Sequence, residues 1–217
     1  MPRSTKPKPI PPTTVLLVRH GQTPSTGTTL PGRARGLHLA EKGHEQAAAA
    51  ATRIAELKKV SAVYASPLER TRETAAPIAR ALGLRVRTER GLLECEFGAW
   101  TGRPLKELAR LPEWRTVQRY PSGFRFPGGE SFVEMHTRIT SALARLVARH
   151  PGETIVAVSH ADPIKAALAD ALGTHLDLFQ RIVVSPCSIS AVHYGAGGPA
   201  VLTSNSTGDD LTTLGLQ

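Results

Sequence analysis

Val15-Leu16-Leu17-Val18-Arg19-His20-Gly21-Gln22-Thr23 opens as an unbroken apolar run and closes in charged and polar residues. An apolar run without polar alternation is the pattern of a strand covered on both faces, as in a parallel sheet flanked by helices. Thr154–Ser159 has the same character and also runs into a histidine, His160. Ser61–Ala65 and Leu84–Thr88 are shorter strand candidates, and Ser188–Tyr194 and Ala200–Thr203 read as two final strands.

Helical patterns fall between these runs. From Glu41 to Lys59, Ala47, Ala51, Ile54 and Leu57 recur at helical spacing. Ser66-Pro67-Leu68-Glu69 reads as a helix start, with Ser66 as N-cap, Pro67 in the first position and Glu69 closing a capping box. That helix runs to about Leu82, with Pro77 marking a kink and Gly83 a stop. Glu130–Arg149 is a helix ended by His150-Pro151-Gly152, and another follows His160 with Asp162 as cap and Pro163 at its start. Residues 94–128, rich in glycine, proline and aromatics, predict a long excursion with short helices. The alternation predicts an α/β fold, a three-layer α/β/α sandwich around a mostly parallel, mixed sheet.

A chain of 217 residues is one domain by default. Residues 1–14 carry Pro2, Pro7, Pro9, Pro11, Pro12, Arg3, Lys6 and Lys8, and read as a disordered basic arm ahead of a single domain over 15–217. Hydrophobic residues at 41% and charged residues at 21% exclude wholesale disorder. The net charge of +9 points to an anionic partner: nucleic acid, membrane or phosphate. No interleaved basic and aromatic pattern supports nucleic acid. No apolar run approaches the ~20 residues of a spanning helix, and Val15–Val18 is too short for a signal-peptide core. A membrane partner is therefore not expected, and the cytoplasm is. The two cysteines, Cys95 and Cys187, lack zinc-type spacing, so neither a disulfide scaffold nor a zinc finger is expected.

In open α/β sheets, ligands lie outside the carboxyl ends of the strands. Arg19 and His20 follow the first strand, Arg70 lies in the opening turn of the helix after the second, and His160 follows Thr154–Ser159. Guanidinium and imidazole groups thus meet at one sheet edge. Their natural ligand is a phosphoryl group: arginine forks match its oxygens, and a neutral imidazole is a competent nucleophile toward phosphorus. The leaving alkoxide needs a proton. Glu94, shielded by Leu92, Leu93, Phe97 and Trp100, is the candidate donor, and Glu96 its rival, since strand-like alternation puts both on one face.

Leu17–Thr23 resembles the signature of the histidine phosphatase (phosphoglycerate mutase-like) superfamily. Ser66–Ala75 resembles its second motif, Leu93–Gly102 its acid-bearing loop, and Val158-Ser159-His160 its last motif. Pro127-Gly128-Gly129-Glu130-Ser131 recurs in its small phosphatases, and Ser159–Lys165 resembles a bacterial phosphatase and phosphomutase branch. The motifs stand in the family's order and span about residues 15–203. The resemblance implies that His20 is the phosphorylated nucleophile, that Arg19, Arg70 and His160 hold the phosphate, and that Glu94 is proton donor and then base. It places Gln22, Thr23 and the backbone at Ala161 around the substrate, and implies no metal or other cofactor.

The chain departs from the pattern at Thr26, where an asparagine is common, at Ala161, where a glycine is common, and in the unusually basic segment Leu30–Gly36. Arg33 and Arg35 are read as steering anionic substrates. Phe97, Trp100, Trp114, Phe124 and Phe126 either wall the pocket or close a satellite core. Cys95 is read as a packing residue, and His38, His44, His136, His150, His175 and His193 as surface or satisfied core residues. The expected activity is hydrolysis of a small phosphorylated metabolite through phosphohistidine. A phosphoglycerate-type mutase and a non-catalytic phospho-ligand binder are the alternatives, and a homodimer is an open expectation.

Overall fold

The computed structural model describes residues 11–57 and 59–215. Its sheet has six strands: β1 (Thr13–Arg19), β2 (Val60–Ala65), β3 (Val86–Thr88), β4 (Thr154–Ser159), β5 (Ile189–Gly195) and β6 (Gly198–Ser206), in the order β3-β2-β4-β1-β5-β6. β1, β2, β3 and β4 are mutually parallel, and β5 and β6 are antiparallel additions. Helices α1 (Glu41–Ala55), α2 (Glu69–Ala81), α3 (Leu105–Leu108), α4 (Pro112–Arg119), α5 (Phe132–Arg149) and α6 (Ala161–Ala171) complete the α/β sandwich.

The unbroken apolar run of β1 is explained by its two covered faces. Val15 and Leu17 pack with Met135, Ile139 and Leu143 of α5, whereas Leu16 and Val18 pack with Ala47 and Ile54 of α1 and Ile78 of α2. β4 divides in the same way, with Ile155 and Ala157 on one face and Val156 and Val158 on the other. In the parallel register of these neighbours Val18 is opposite Val158 and Arg19 opposite Ser159, so His20 and His160 leave the sheet at the same level.

Several expectations are corrected. β1 begins at Thr13, inside the stretch assigned to the arm; residues 1–10 of that stretch lie outside the described residues. Thr13 and Thr14 are buried, and the Thr13 hydroxyl donates to the His150 carbonyl at 2.6 Å, which makes polar residues compatible with the strand. The Ser66 capping box does not form: α2 starts at Glu69 with Leu68 at its N-cap, and the Ser66 hydroxyl is engaged with His160 instead. Asp162 does not cap α6, whose N-cap residue is His160; its carboxylate pairs with Lys165 at 3.4 Å. α5 starts at Phe132, capped by a reciprocal Ser131–Glu134 box. Gly83, at φ +65°, stops α2 as expected, but the Leu84 N–H bonds back to the Ala79 carbonyl at 2.8 Å, which delays β3 to Val86.

The 94–128 excursion carries α3, α4 and short 3-10 turns. Its aromatics are core, not pocket wall. Phe97, Trp100, Phe124 and Phe126 are buried in the cluster that also holds β1 and α5, with Phe97–Phe126 and Phe124–Phe126 centroids 4.8 and 5.0 Å apart. Trp114, partly buried, stacks on Trp100 at 6.2 Å. Such pairs add about 0.5–1.5 kcal/mol each beyond area burial, enough to fix an otherwise irregular segment.

Candidate active site

The two imidazoles stand 5.2 Å apart, centroid to centroid, inclined by 63°. The His20 N–H donates to the Ser159 carbonyl at 3.0 Å, which continues the β1–β4 ladder one residue past the strand. The chain then turns away through Gly21, whose N–H donates to the Thr74 hydroxyl of α2 at 3.0 Å. A Cβ on Gly21 would lie 2.5 Å from the Gly43 carbonyl, and one on Gly43 would lie 2.1 Å from the Gln22 carbonyl. Glycine at both positions lets the loop rest directly on the first turn of α1.

His20 is only 5% exposed, and its Nδ1 lies 2.7 Å from the Gly21 carbonyl. A carbonyl can only accept, so the proton is on Nδ1 and the Nε2 lone pair is free. Burial, reinforced by the charges of Arg70 and Arg19, holds the His20 pKa well below the ordinary value, so the ring is neutral near pH 7.

Around this ring are donors with no protein acceptor. Arg70 is fully buried; its Nη2 donates to the Gly32 carbonyl at 2.7 Å, while Nε and Nη1 have no partner among the described residues. Arg19 spends Nη1 on the Val184 carbonyl at 2.7 Å and leaves Nε free. His160, bound through Nε2 to the Ser66 hydroxyl at 2.9 Å, leaves Nδ1 free. Each unsatisfied buried donor costs about 1–3 kcal/mol, more when charged, which an oxyanion accepting from all of them would offset.

Glu94 follows the 3-10 turn Arg90–Leu92 and is 7% exposed, its Oε1 accepting from the Cys95 N–H at 2.9 Å. Burial first, then the Asp162 charge, raises its pKa to about 7, against the pull of the Cys95 N–H, Arg70 and Arg19. Glu96, the rival candidate, is less enclosed: its side chain is 37% exposed and pairs with Arg33 at 3.5 Å. Residues 93–97 form no strand, so the alternation expected of this pair does not apply.

Gln22 and Thr23 follow His20 directly. The Gln22 N–H donates to Gln46 Oε1 at 2.9 Å, and the buried Thr23 hydroxyl lies 3.0 and 3.1 Å from those of Ser25 and Thr26. Thr26, at the position where an asparagine is common, also accepts from the Thr23 N–H at 2.9 Å and closes a local turn. Ala161 opens α6 beside His160. Arg33 is not a free steering charge: it bonds the Glu94 carbonyl and pairs with Glu96 and Glu130. Among the other histidines, His150 bridges Tyr64 and Glu153, and His38 pairs with Glu73. Burial pushes the Cys95 thiol pKa up, consistent with a packing role. Ser66 and Thr74, both within Ser66–Ala75, support the site through His160 and Gly21, roles that the sequence pattern alone does not mark. A separate cavity of about 1350 Å³, lined by Val147, Tyr194 and Pro199 near the start of β1, contains none of these groups.

Residues 15–207 match the profile of the histidine phosphatase superfamily (branch 1). The chain belongs to that superfamily. Within it, the chain is 32% identical over 198 residues to phosphoserine phosphatase 1 of Hydrogenobacter thermophilus, covering 89% of this chain and 92% of the relative. It is 38% identical over 201 residues to the bifunctional protein Rv2228c of Mycobacterium tuberculosis, covering 91% of this chain but only 55% of that protein's length. Among solved structures it is similar to a mycobacterial glucosyl-3-phosphoglycerate phosphatase, with a TM-score of 0.81, 25% identity, and coverage of 90% of this chain and 99% of that one. The mixed sheet with helices on both faces is the histidine phosphatase fold. No described helix is long and apolar enough to cross a membrane.

Proposed function

We propose that this chain hydrolyses phosphomonoesters through a phosphohistidine on Nε2 of His20. The observation that carries the proposal is the set of buried donors without protein acceptors (Arg19 Nε, Arg70 Nε and Nη1, His160 Nδ1) around an imidazole whose Nε2 lone pair is free. The dianionic phosphoryl group accepts from these donors. His20 Nε2 attacks phosphorus opposite the ester oxygen, and the bond from phosphorus to that oxygen breaks. Glu94, whose pKa burial raises to about 7, keeps a substantial protonated fraction near neutral pH and in that form gives its proton to the departing alkoxide. The resulting Glu94 carboxylate takes a proton from water, whose oxygen attacks the phosphohistidine; inorganic phosphate leaves and the neutral imidazole is restored. Fixed charges supply most of the acceleration, on the order of 20 kcal/mol for a monoester.

The substrate class is a small metabolite with an alkyl leaving group, in keeping with the phosphoserine and glucosyl-3-phosphoglycerate phosphatases among the chain's relatives. The compartment proposed is the cytoplasm, where cysteines such as the buried, unpaired Cys95 and Cys187 remain reduced. The test is phosphate release from p-nitrophenyl phosphate and from a panel of alkyl monoesters, with His20→Ala as the blank, and alkaline detergent quench of a radiolabelled ester during turnover. An acid-labile label on the wild type, absent from His20→Ala, is expected. Phosphate transfer to a monophosphoglycerate acceptor would favour mutase chemistry, and tight binding without turnover a phospho-ligand binder.

A further inference from the structure

Residues 28–33 run beside the loop that follows the acid. The Leu30 N–H donates to the Arg103 carbonyl at 3.0 Å, the Gly102 N–H to the Leu30 carbonyl at 2.7 Å, and the Leu105 N–H to the Thr28 carbonyl at 2.9 Å. From the end of this pairing Arg33 reaches back to the acid, its Nε donating to the Glu94 carbonyl at 2.8 Å. Its Nη2 pairs with Glu130 at 2.8 Å and its Nη1 with Glu96 at 3.5 Å. Glu130 also accepts from Arg138 Nε and Nη2, at 2.8 and 2.9 Å, and from the Glu96 N–H at 3.0 Å. Arg138 in turn donates to the Gly91, Leu93 and Glu94 carbonyls at 2.9, 2.8 and 3.2 Å. The Glu94 carbonyl is therefore held by two guanidiniums that share one carboxylate. One residue earlier, the Gly32 carbonyl holds Arg70 at 2.7 Å.

This placement separates two roles for Arg33. A steering charge is exposed and unpaired, but the Arg33 side chain is 24% exposed and faces two carboxylates. We infer that Arg33 is a positioning residue: it fixes the main chain at Glu94 so that the carboxyl meets the leaving oxygen, tying proton delivery to the loop over the site. The inference rests on the phosphohydrolase reading. The proton matters in proportion to the basicity of the leaving group. An alkoxide needs it, whereas p-nitrophenolate leaves well without it.

The experiment compares wild type, Arg33→Met and Glu130→Gln on glycerol 2-phosphate and on p-nitrophenyl phosphate, with melting curves for each protein. For both variants kcat/KM on glycerol 2-phosphate, which reports phosphoryl transfer to His20 and not the later attack of water, is expected to fall about tenfold or more, and kcat/KM on p-nitrophenyl phosphate about threefold at most. In a Glu94→Gln background, Arg33→Met is expected to cost little more on glycerol 2-phosphate. Equal losses of kcat/KM on the two esters (the steering outcome) would overturn the inference, as would full additivity with Glu94→Gln. Failure of the underlying reading looks different: wild type would then be no faster than His20→Ala on either ester.

Discussion

The proposed phosphate cradle and the proposed acid loop lie side by side but are built by opposite means. His20 and His160 are fixed by backbone: they continue adjacent parallel strands in register, and the His20 N–H itself extends the ladder. Glu94 is on irregular chain, and its place is set by side chains from distant segments: Arg33, Glu130 and Arg138. A ladder position tolerates surface change nearby. A position held by charged side chains responds to each of them, and at long range in sequence.

The largest effect should fall on the ladder-borne group. His20→Ala is expected to reduce turnover to the blank rate for every ester, read by phosphate release; residual labelling of that variant would break the comparison at its root. Arg70→Ala comes next, with a loss of about 10²–10³ in kcat that is equal for alkyl and aryl esters, because it removes charge from the phosphoryl group itself. Glu94→Gln is expected to cost about 10² in kcat/KM on alkyl esters and far less in kcat/KM on p-nitrophenyl phosphate, since only the leaving-group step differs between them. Equal loss on both would make Glu94 a phosphate-site residue and erase the contrast.

The pH profile sharpens the same point. Glu94 donates only when protonated, and its pKa is about 7, so kcat/KM for alkyl esters should fall as pH rises through about 7. The acid limb lies well lower, where His20 protonates. The stability sign follows as well. Because the folded Glu94 pKa is raised above its unfolded value, its contribution is most favourable below the unfolded pKa and is lost as pH rises through about 7. Glu94→Gln should therefore raise the melting temperature at alkaline pH, by up to ~3 kcal/mol in stability, and by little near pH 4. The smallest expected effect is that of Ser66→Ala, a few-fold loss in kcat as His160 loses the partner of its Nε2.

The same contrast explains what was legible in the sequence. The cradle was readable because apolar periodicity locates strand ends and strand ends locate Arg19, His20 and His160. Glu94 and Glu96 were not separable by spacing, since the segment carrying them is not a strand and no local pattern says which side chain turns inward. Arg33 was misread because its partners lie as much as 97 positions away, at Glu130. Ser66 was misassigned because Ser-Pro-Leu-Glu fits a capping box equally well, and only the approach of His160 takes its hydroxyl elsewhere. Thr13 and Thr14 looked like arm because polar residues next to prolines give no strand signal, although their hydroxyls find partners.

The contact between Gly21 and Gly43 limits how the proposed site can be retargeted. Two peptide planes touch there with no room for a methyl group, so the base of the nucleophile loop cannot sink further toward α1 to admit a bulkier ester. Any widening of the mouth has to come from residues farther along the loop. A library that leaves both glycines fixed and varies the tip would explore the only direction in which this wall can yield.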